Sequence, residues 1–306
     1  MSVASQFNFS QADKSGATYA EAANAIATAL NSVLTRTSDT GQTSTFASSD
    51  PDGVKYQVFK FTDSLQSTNP VYIRVNFYCQ VAAEYFPTAI GIQVGTSTDG
   101  GGNINGSQFS PLCILVNGQF NSSEHQFGYV SGDTNRIGMA IGEGPDIFSA
   151  IFFNIERTKD LAGNDTNEGI IFQCTSPFIS AYGGVNCQPS EAVNGLQQAA
   201  VVNMVIPFSG AVAGHNTSFV SAYNNGKITM AVGTQVGTNA VVPFCFRPYN
   251  PGYGILMYFS SDFPVYSTQS IAMTDGNNHT FLALQQTNRF FTNPYGLPAS
   301  ILMRFE

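Results

Sequence analysis

Charged side chains are scarce in this sequence. Of its 306 residues, 12 are Lys or Arg and 20 are Asp or Glu, so the net charge is −8. Charged residues make up 10% of the chain, against about 25% in an ordinary soluble domain. So few basic residues argue against direct binding to DNA or RNA, because phosphates need cationic partners. Ser, Thr, Asn and Gln, together about a third of the chain, supply the polarity instead.

Long apolar runs are also missing. No stretch reaches the ~18 apolar residues of a membrane-spanning helix, and residues 1–10 lack the basic and apolar regions of a secretory signal. We therefore expect no membrane insertion and assembly in the cytoplasm. Tryptophan is absent, but 25 Phe, 13 Tyr and a hydrophobic content of 43% supply a large core, which excludes global disorder.

Cysteine is sparse and scattered, without a C-x-x-C pair. The five residues are Cys79, Cys113, Cys174, Cys187 and Cys245. Because the number is odd and most of them lie in or beside apolar runs, we predict buried free thiols.

The N-terminal region shows helical spacing over residues 18–34. Its apolar positions include Ala22, Ile26 and Leu30, and Thr18 precedes Glu21 by three residues, as in a capping box. We predict a short α-helix here, followed by a polar linker or loop over residues 35–53. Residues 1–50 are then a candidate docking segment, which packs against the chain's own body or against another subunit.

From residue 54 onward the apolar period changes from helical spacing to two. Short alternating runs are separated by clusters of Gly, Asn, Asp and Pro, for example at residues 71–79, 90–94 and 137–141. This pattern predicts a mainly β fold, specifically an antiparallel β-sandwich of jelly-roll type, over residues 51–306. If this body has two layers or subdomains, the division is expected near residues 188–198.

The motifs that carry chemistry in other proteins are incomplete here. The glycine-rich run at residues 95–102 has Gly101 where a phosphate-binding loop needs Lys, so we predict a hairpin. His125, His215 and His279 lack metal-ligand spacing. We accordingly predict no catalytic residue, no metal and no cofactor.

The densest group of charges runs from Glu156 to Glu168. We predict that it forms a solvated hairpin loop of about ten residues with local ion pairs. A calcium loop and an acid pair for glycan hydrolysis are the alternatives.

Aromatic residues concentrate in a Gly- and Pro-rich stretch near the end of the chain. They are Tyr249, Tyr253, Tyr258, Phe259, Phe263 and Tyr266. Exposed Tyr stacks on sugar rings or lies in subunit contacts, so Tyr249 and Tyr253 are the candidate binding residues. Core packing is the competing interpretation.

Four longer stretches of turns and strands stand out: TRTSDTGQ at 35–42, YQVFKFTDSLQSTNPVYIRVNFY at 56–78, IGIQVGTSTDGGGNINGS at 90–107 and FFNIERTKDLAGNDTNEGIIF at 152–172. They resemble tailed-bacteriophage virion structural proteins of the tail, baseplate, neck or decoration type. FPVYS at 263–267 and HTFLAL at 279–284 extend the resemblance. Its motifs are turns and strands, and it brings no catalytic residue with it.

The residues and the resemblance together predict a noncatalytic structural subunit of a tailed-phage virion. Its expected partners are other virion proteins and copies of itself. The alternative is a receptor- or carbohydrate-binding virion adhesin that holds a host-surface glycan.

Overall fold

The computed structural model is mainly β, with several antiparallel sheets and, among the residues it describes, one α-helix. It describes residues 2–10, 16–49, 54–78, 89–110, 112–116, 125–143, 151–160, 162–175, 201–208, 234–236, 239–243, 254–258, 264, 266–273, 275–286 and 300–306. The mainly β prediction is confirmed.

The strands form three sheets. Sheet A contains, in spatial order, β1 (Val3–Ser10), β8 (His125–Asp133), β9 (Arg136–Glu143), β10 (Ile151–Lys159), β11 (Asp165–Thr175) and β12 (Val201–Pro207). Sheet B contains β2 (Thr35–Arg36), β3 (Val54–Lys60), β4 (Tyr72–Tyr78), β5 (Ala89–Thr98) and β6 (Ile104–Phe109), and β7 (Cys113–Val116) also pairs with β5. Sheet C contains β13 (Thr234–Val236), β14 (Asn239–Pro243), β15 (Ile255–Tyr258), β18 (Ser300–Arg304), β17 (Asn278–Gln286) and β16 (Thr268–Ala272).

Most neighbouring strands are also neighbours along the chain. All of the described pairings are antiparallel, and β8 to β12 follow one another in order across sheet A. Such a meander arises from short connections, whereas Greek-key order needs a long return connection. Sheet C departs from this order, because β15 lies beside β18, the last of the three successively paired strands β16, β17 and β18, as in a Greek key.

The predicted strand periodicity is confirmed on β4 and β9. On β4 the side chains of Ile73, Val75 and Phe77 are buried, and on β9 those of Ile137 and Met139 are buried. Alternate side chains point to opposite faces of a strand, so these residues place one face of each strand in the core.

Helix α1 (Gly16–Asn31) packs on the chain's own core. It starts two residues before Thr18, so the predicted capping box is wrong: Thr18 lies inside the first turn. Ile26 and Leu30 are buried, and Phe46 from the following loop packs with them. The Asn24 amide fixes that loop by donating to the Phe46 carbonyl oxygen at 2.9 Å and accepting from its N–H at 3.1 Å.

Sheet A contributes side chains to two separate core clusters. One face, with Phe153 and Ile155, joins the larger cluster together with helix α1 and sheet B. The opposite face, with Ala140 and Phe152, joins the smaller cluster with Met303 and other residues of sheet C. Because successive residues of β10 enter different clusters, this strand is covered on both faces.

Two of the cysteines confirm the predicted free thiols. Cys113 and Cys174 are buried and unbridged, and burial raises the pKa of the Cys174 thiol. Cys79, Cys187 and Cys245 lie outside the described residues, as does the predicted division at 188–198.

Candidate functional site

The turns at residues 37–42 and 99–103 meet at Tyr56. Its hydroxyl oxygen lies 2.7 Å from the carbonyl oxygens of both Thr40 and Gly101, and each of these can accept its proton. The N–H of Thr40 also donates to the Gly100 carbonyl oxygen at 2.8 Å. The stretch predicted as a linker or loop is thus a loop, bound to the turn between β5 and β6.

Gln42 fastens the same loop to β3. Its Oε1 accepts from the Val58 N–H at 2.7 Å, and its Nε2 donates to the carbonyl oxygens of Thr37 and Asp39 at 3.1 Å. The two residues of β2 do not reach the Val58 N–H, and the Gln42 amide accepts from it in place of a strand backbone.

The predicted hairpin at the glycine-rich run is confirmed. Gly102 adopts a φ of +94°, and a Cβ there would lie 2.3 Å from Tyr56 Cε2. Both facts require glycine. The Asp99 carboxylate accepts from the Gly101 and Asn103 N–H groups and from the Asn103 amide. The Asn103 amide, followed by the two backbone groups, lowers the pKa of Asp99.

Arg74 covers this junction. Its guanidinium lies 4.2 Å from the centre of the Tyr56 ring, and Nη1 donates to the Gly102 carbonyl oxygen at 3.1 Å and to Asn103 Oδ1 at 2.8 Å. We call Tyr56, Arg74 and the turns at 37–42 and 99–103 the turn clasp. It joins these two turns to β3 and β4 through mostly neutral hydrogen bonds.

A second junction pairs Arg157 with Asp63. The fully buried guanidinium donates from Nε to Asp63 Oδ2 and from Nη2 to Oδ1 at 2.9 Å, and its Nη1 donates to the Asn69 carbonyl oxygen at 2.8 Å. It also lies near the rings of Phe61 and Phe208. This two-point pair ties sheet A to the turn before β4.

The predicted hairpin with a local ion pair is present, since β10 pairs with β11 and Lys159 pairs with Asp165, but its loop does not extend from Glu156 to Glu168. Glu156 and Arg157 belong to β10 and are fully buried, so the prediction that they are solvated is wrong. The loop between β10 and β11 is only five residues long, because strand pairing continues to Lys159 opposite Asp165. Glu168 is exposed, so the structure does not place the two glutamates at one accessible site.

Glu156 instead holds a buried polar group together. Its Oε1 accepts from Asn154 Nδ2 at 3.1 Å and from the Gly254 N–H at 2.9 Å, and Asn154 Nδ2 also donates to Gln173 Oε1 at 3.0 Å. A Cβ on Gly254 would lie 2.1 Å from Asn154 Oδ1. These contacts join sheet A to the start of β15.

His279 is the centre of an ionic group at the end of sheet C. Its Nε2 lies 2.7 Å from Asp275 Oδ2 and its Nδ1 lies 2.6 Å from Glu306 Oε1. Arg304 Nε and the Thr280 N–H donate to the same Glu306 carboxylate at 2.8 and 2.9 Å. The backbone of Glu306 in turn contacts sheet A, through hydrogen bonds with the Ser131 hydroxyl at 3.2 Å.

Burial alone would raise the pKa of Asp275 and of Glu306. For Asp275, the hydrogen bonds from His279 and Asn277 outweigh this effect and hold the pKa below its ordinary value. For Glu306, the Thr280 N–H, His279 and Arg304 do the same. The group therefore favours ionised carboxylates in the folded protein.

Four partly exposed aromatic residues form what we call the aromatic platform: Phe127, Tyr129, Tyr266 and Phe305. The rings of Tyr129 and Tyr266 stack with centres 5.5 Å apart, and Phe127 meets Tyr266 edge-on at 4.9 Å. Phe305 meets Tyr129 edge-on at 5.7 Å. Tyr266 has a φ of +62°, the only positive value among the described non-glycine residues, and such strain is often found at functional sites.

Exposed amide side chains border the aromatic platform. Strand register places Gln6 opposite Tyr129 and Asn8 opposite Phe127, on the same face of sheet A. Both amides are exposed. Aromatic rings beside neutral donors and acceptors suit an uncharged polyhydroxylated ligand.

The predicted binding residues Tyr249 and Tyr253 lie outside the described residues. Tyr266, from the same aromatic stretch, does belong to the platform. The sequence analysis missed Phe127, Tyr129 and Phe305. The usable signal was the two-residue spacing of Phe127 and Tyr129 across Gly128, which puts both rings on one face of a strand.

Metal sites and membrane-spanning helices are two further features to consider. Among the described residues, no group of three or more His, Cys, Asp or Glu side chains is placed to hold a metal ion. Within the same ranges, no helix has the length and apolar character needed to cross a membrane. Comparison with protein-family models, with curated proteins and with solved structures finds no match.

The Arg157–Asp63 pair gives a testable stability difference. Asp63→Ala leaves a buried guanidinium without its carboxylate, so we expect a loss of about 3–5 kcal/mol in the free energy of unfolding. Urea denaturation measures it. Asp165→Ala is the matched control, because it removes the partner of Lys159 in a more exposed pair and should cost at most about 1 kcal/mol. Equal losses for the two variants would contradict the assignment.

The ionic group around His279 predicts acid sensitivity. Because the folded pKa values of Asp275 and Glu306 are lowered, their stabilisation is complete above the ordinary carboxyl pKa of about 4 and is lost as pH falls through the lowered values. We expect Asp275→Asn and Glu306→Gln to be less stable at pH 7 and to lose less stability on acidification. Urea titrations from pH 7 to 2.5 test this, with Glu168→Gln as control. Variant and wild-type curves that stay parallel would count against it.

Proposed function

We propose that this protein is a noncatalytic structural subunit of a tailed-phage particle. The proposal rests on the contacts made by residues of the motifs that resemble phage proteins. Gln42 binds the backbone of Val58, Asp63 binds Arg157, Gln66 binds the backbone of Val71, and Asp99 binds its own turn. These motif residues connect segments of the chain to one another. Such contacts support a structural role for the motifs more than a catalytic one.

The fold supports the same role. We propose that the three sheets stack as a β-sandwich, with sheet A between sheets B and C. The two core clusters on opposite faces of sheet A support this arrangement. In helix α1, Glu21, Thr28 and Asn31 are exposed beside the buried apolar positions. We retain residues 1–50 as a docking segment for other virion proteins, with this polar strip as its contact.

The scarcity of charge fits a particle that is released from cells. Surface ion pairs weaken as ionic strength rises, whereas neutral hydrogen bonds such as those of the turn clasp respond little to salt. A subunit held together in this way keeps its shape as the medium changes. Copies that carry few charges also meet without burying unpaired charges at their contacts.

Purified particles test the proposal directly. We expect the chain to remain with particles through density-gradient purification, and we expect a reconstruction to show it at symmetry-related positions. Peptide mass spectrometry of gradient fractions measures the first point, with an abundant host protein as the contamination control. Recovery of the chain only among free lysate proteins would overturn the proposal.

A second candidate function is carbohydrate binding by a virion adhesin. The aromatic platform favours it, because partly exposed rings lie beside the uncharged amides of Gln6 and Asn8. Tyr266 comes from the aromatic stretch that predicted glycan contact. We propose a bacterial cell-surface glycan as the ligand, with Tyr129 as the principal stacking residue.

An array of bacterial cell-surface glycans tests this candidate. We expect Tyr129→Ala to abolish binding and Asn8→Ala to weaken it, because one removes a stacking surface and the other a hydrogen-bonding group. Tyr72→Ala, a partly exposed tyrosine on sheet B, is the matched control and should bind normally. No binding by the wild type, or equal loss in both tyrosine variants, would exclude the platform as the glycan site.

A further inference from the structure

Among the strands that the structure describes, β1 forms one edge of sheet A. It is the first of them in the spatial order, and among them it pairs only with β8. Its eight residues keep an uninterrupted antiparallel register, from Val3 opposite Gly132 to Ser10 opposite His125. In such a pairing, alternate N–H and C=O groups point away from the partner strand. Within the described chain, the backbone of β1 makes no hydrogen bond other than those to β8.

This edge lacks the usual protection against pairing. Charged residues, proline, bulges or a short length commonly keep an exposed edge from pairing with other strands. Strand β1, with the sequence VASQFNFS, is eight residues long and contains neither a charged residue nor proline. The other described edge strands differ. β2 and β13 have two and three residues, β16 has five, β6 pairs through an irregular register, and β12 ends in proline. β1 is therefore the longest regular edge without charge or proline.

We propose that β1 pairs antiparallel with β1 of a second copy of this chain, about a two-fold axis at Gln6. The axis is perpendicular to the sheet, so each residue meets one from the same face. Ala4 then lies opposite Asn8 on the polar face, and Val3 lies opposite Phe9 on the apolar face. This register places Gln6 opposite its own copy on the polar face and Ser5 opposite Phe7 on the other face.

The absence of charge on β1 suits a second copy as the occupant. Each chain carries a net charge of −8, so a contact that brings acidic surfaces of two copies together is unfavourable. Residues 2–10 contain no charged side chain, and Ala4, Ser5, Gln6 and Asn8 are exposed. At this edge, copies gain backbone hydrogen bonds without opposing like charges. Pairing would also place the two aromatic platforms on the same side of the joined sheet.

Cysteine cross-linking tests the register. Under mild oxidation, Gln6→Cys should form a disulfide-linked dimer, because the two residues face each other at the axis. Asn8→Cys should not link to itself, but it should link to Ala4→Cys when the two variants are mixed. These positions are exposed, so folding is preserved, and wild-type protein controls for native cysteines. Self-linking of Asn8→Cys as efficient as that of Gln6→Cys would overturn the register.

Sedimentation equilibrium tests the contact itself. We expect a dimer of the full chain at micromolar concentration, with a dissociation constant that Gln6→Lys raises by about tenfold, because two ammonium groups then oppose each other. Asn105→Lys, at an exposed position on β6, should leave the dimer intact. A wild-type monomer, or equal effects of both variants, would refute the proposal. Neither result bears on whether the chain is found in particles.

Discussion

The structure depends on one constraint, the burial of β10 on both faces. Every described side chain of this strand from Phe152 to Thr158 is buried, although four of the seven are polar or charged. Each such group needs a partner inside the protein, because an unpaired buried polar group is costly. Arg157 takes Asp63, and Glu156 takes Asn154 and Gly254. Sheets B and C are thereby fixed to the strand by specific bonds as well as by apolar contact.

The same constraint explains why sequence reasoning succeeded in some segments and failed in β10. On β4 a period of two identified the buried apolar face, and on β9 it identified Ile137 and Met139, although the opposite face of β9, with Arg136 and Ala140, is buried as well. On β10 the run from Glu156 to Asp160 looks like a charged loop, because local patterns assume that charges face water. Only the long-range partners Asp63 and Gly254 make burial feasible, and they lie about a hundred residues away from their contacts.

The candidate site, too, could be predicted from the sequence only in part. The turns at residues 37–42 and 99–103 were recognisable as turns, but their meeting at Tyr56 depends on register between distant strands. The aromatic stretch near the end of the chain was identified, and it supplied Tyr266. The other platform rings come from β8 and from the residue after β18, outside that stretch. The periodicity of a sequence does not predict which side chains from distant segments meet in the folded protein.

The bonds between Glu306 and Ser131 join residues 175 positions apart. Ribosomes make a chain in order, so sheet A is complete, up to β12, well before β18 exists. Until then, the face of sheet A that carries Phe152, Asn154 and Glu156 is exposed to solvent or covered by another protein of the cell. Exposed surfaces of this kind are prone to aggregate. A nascent chain thus passes through a stage in which one face of sheet A is uncovered. Slow synthesis of residues 208–306, or a helper protein that recognises that face, would change the yield of folded chains.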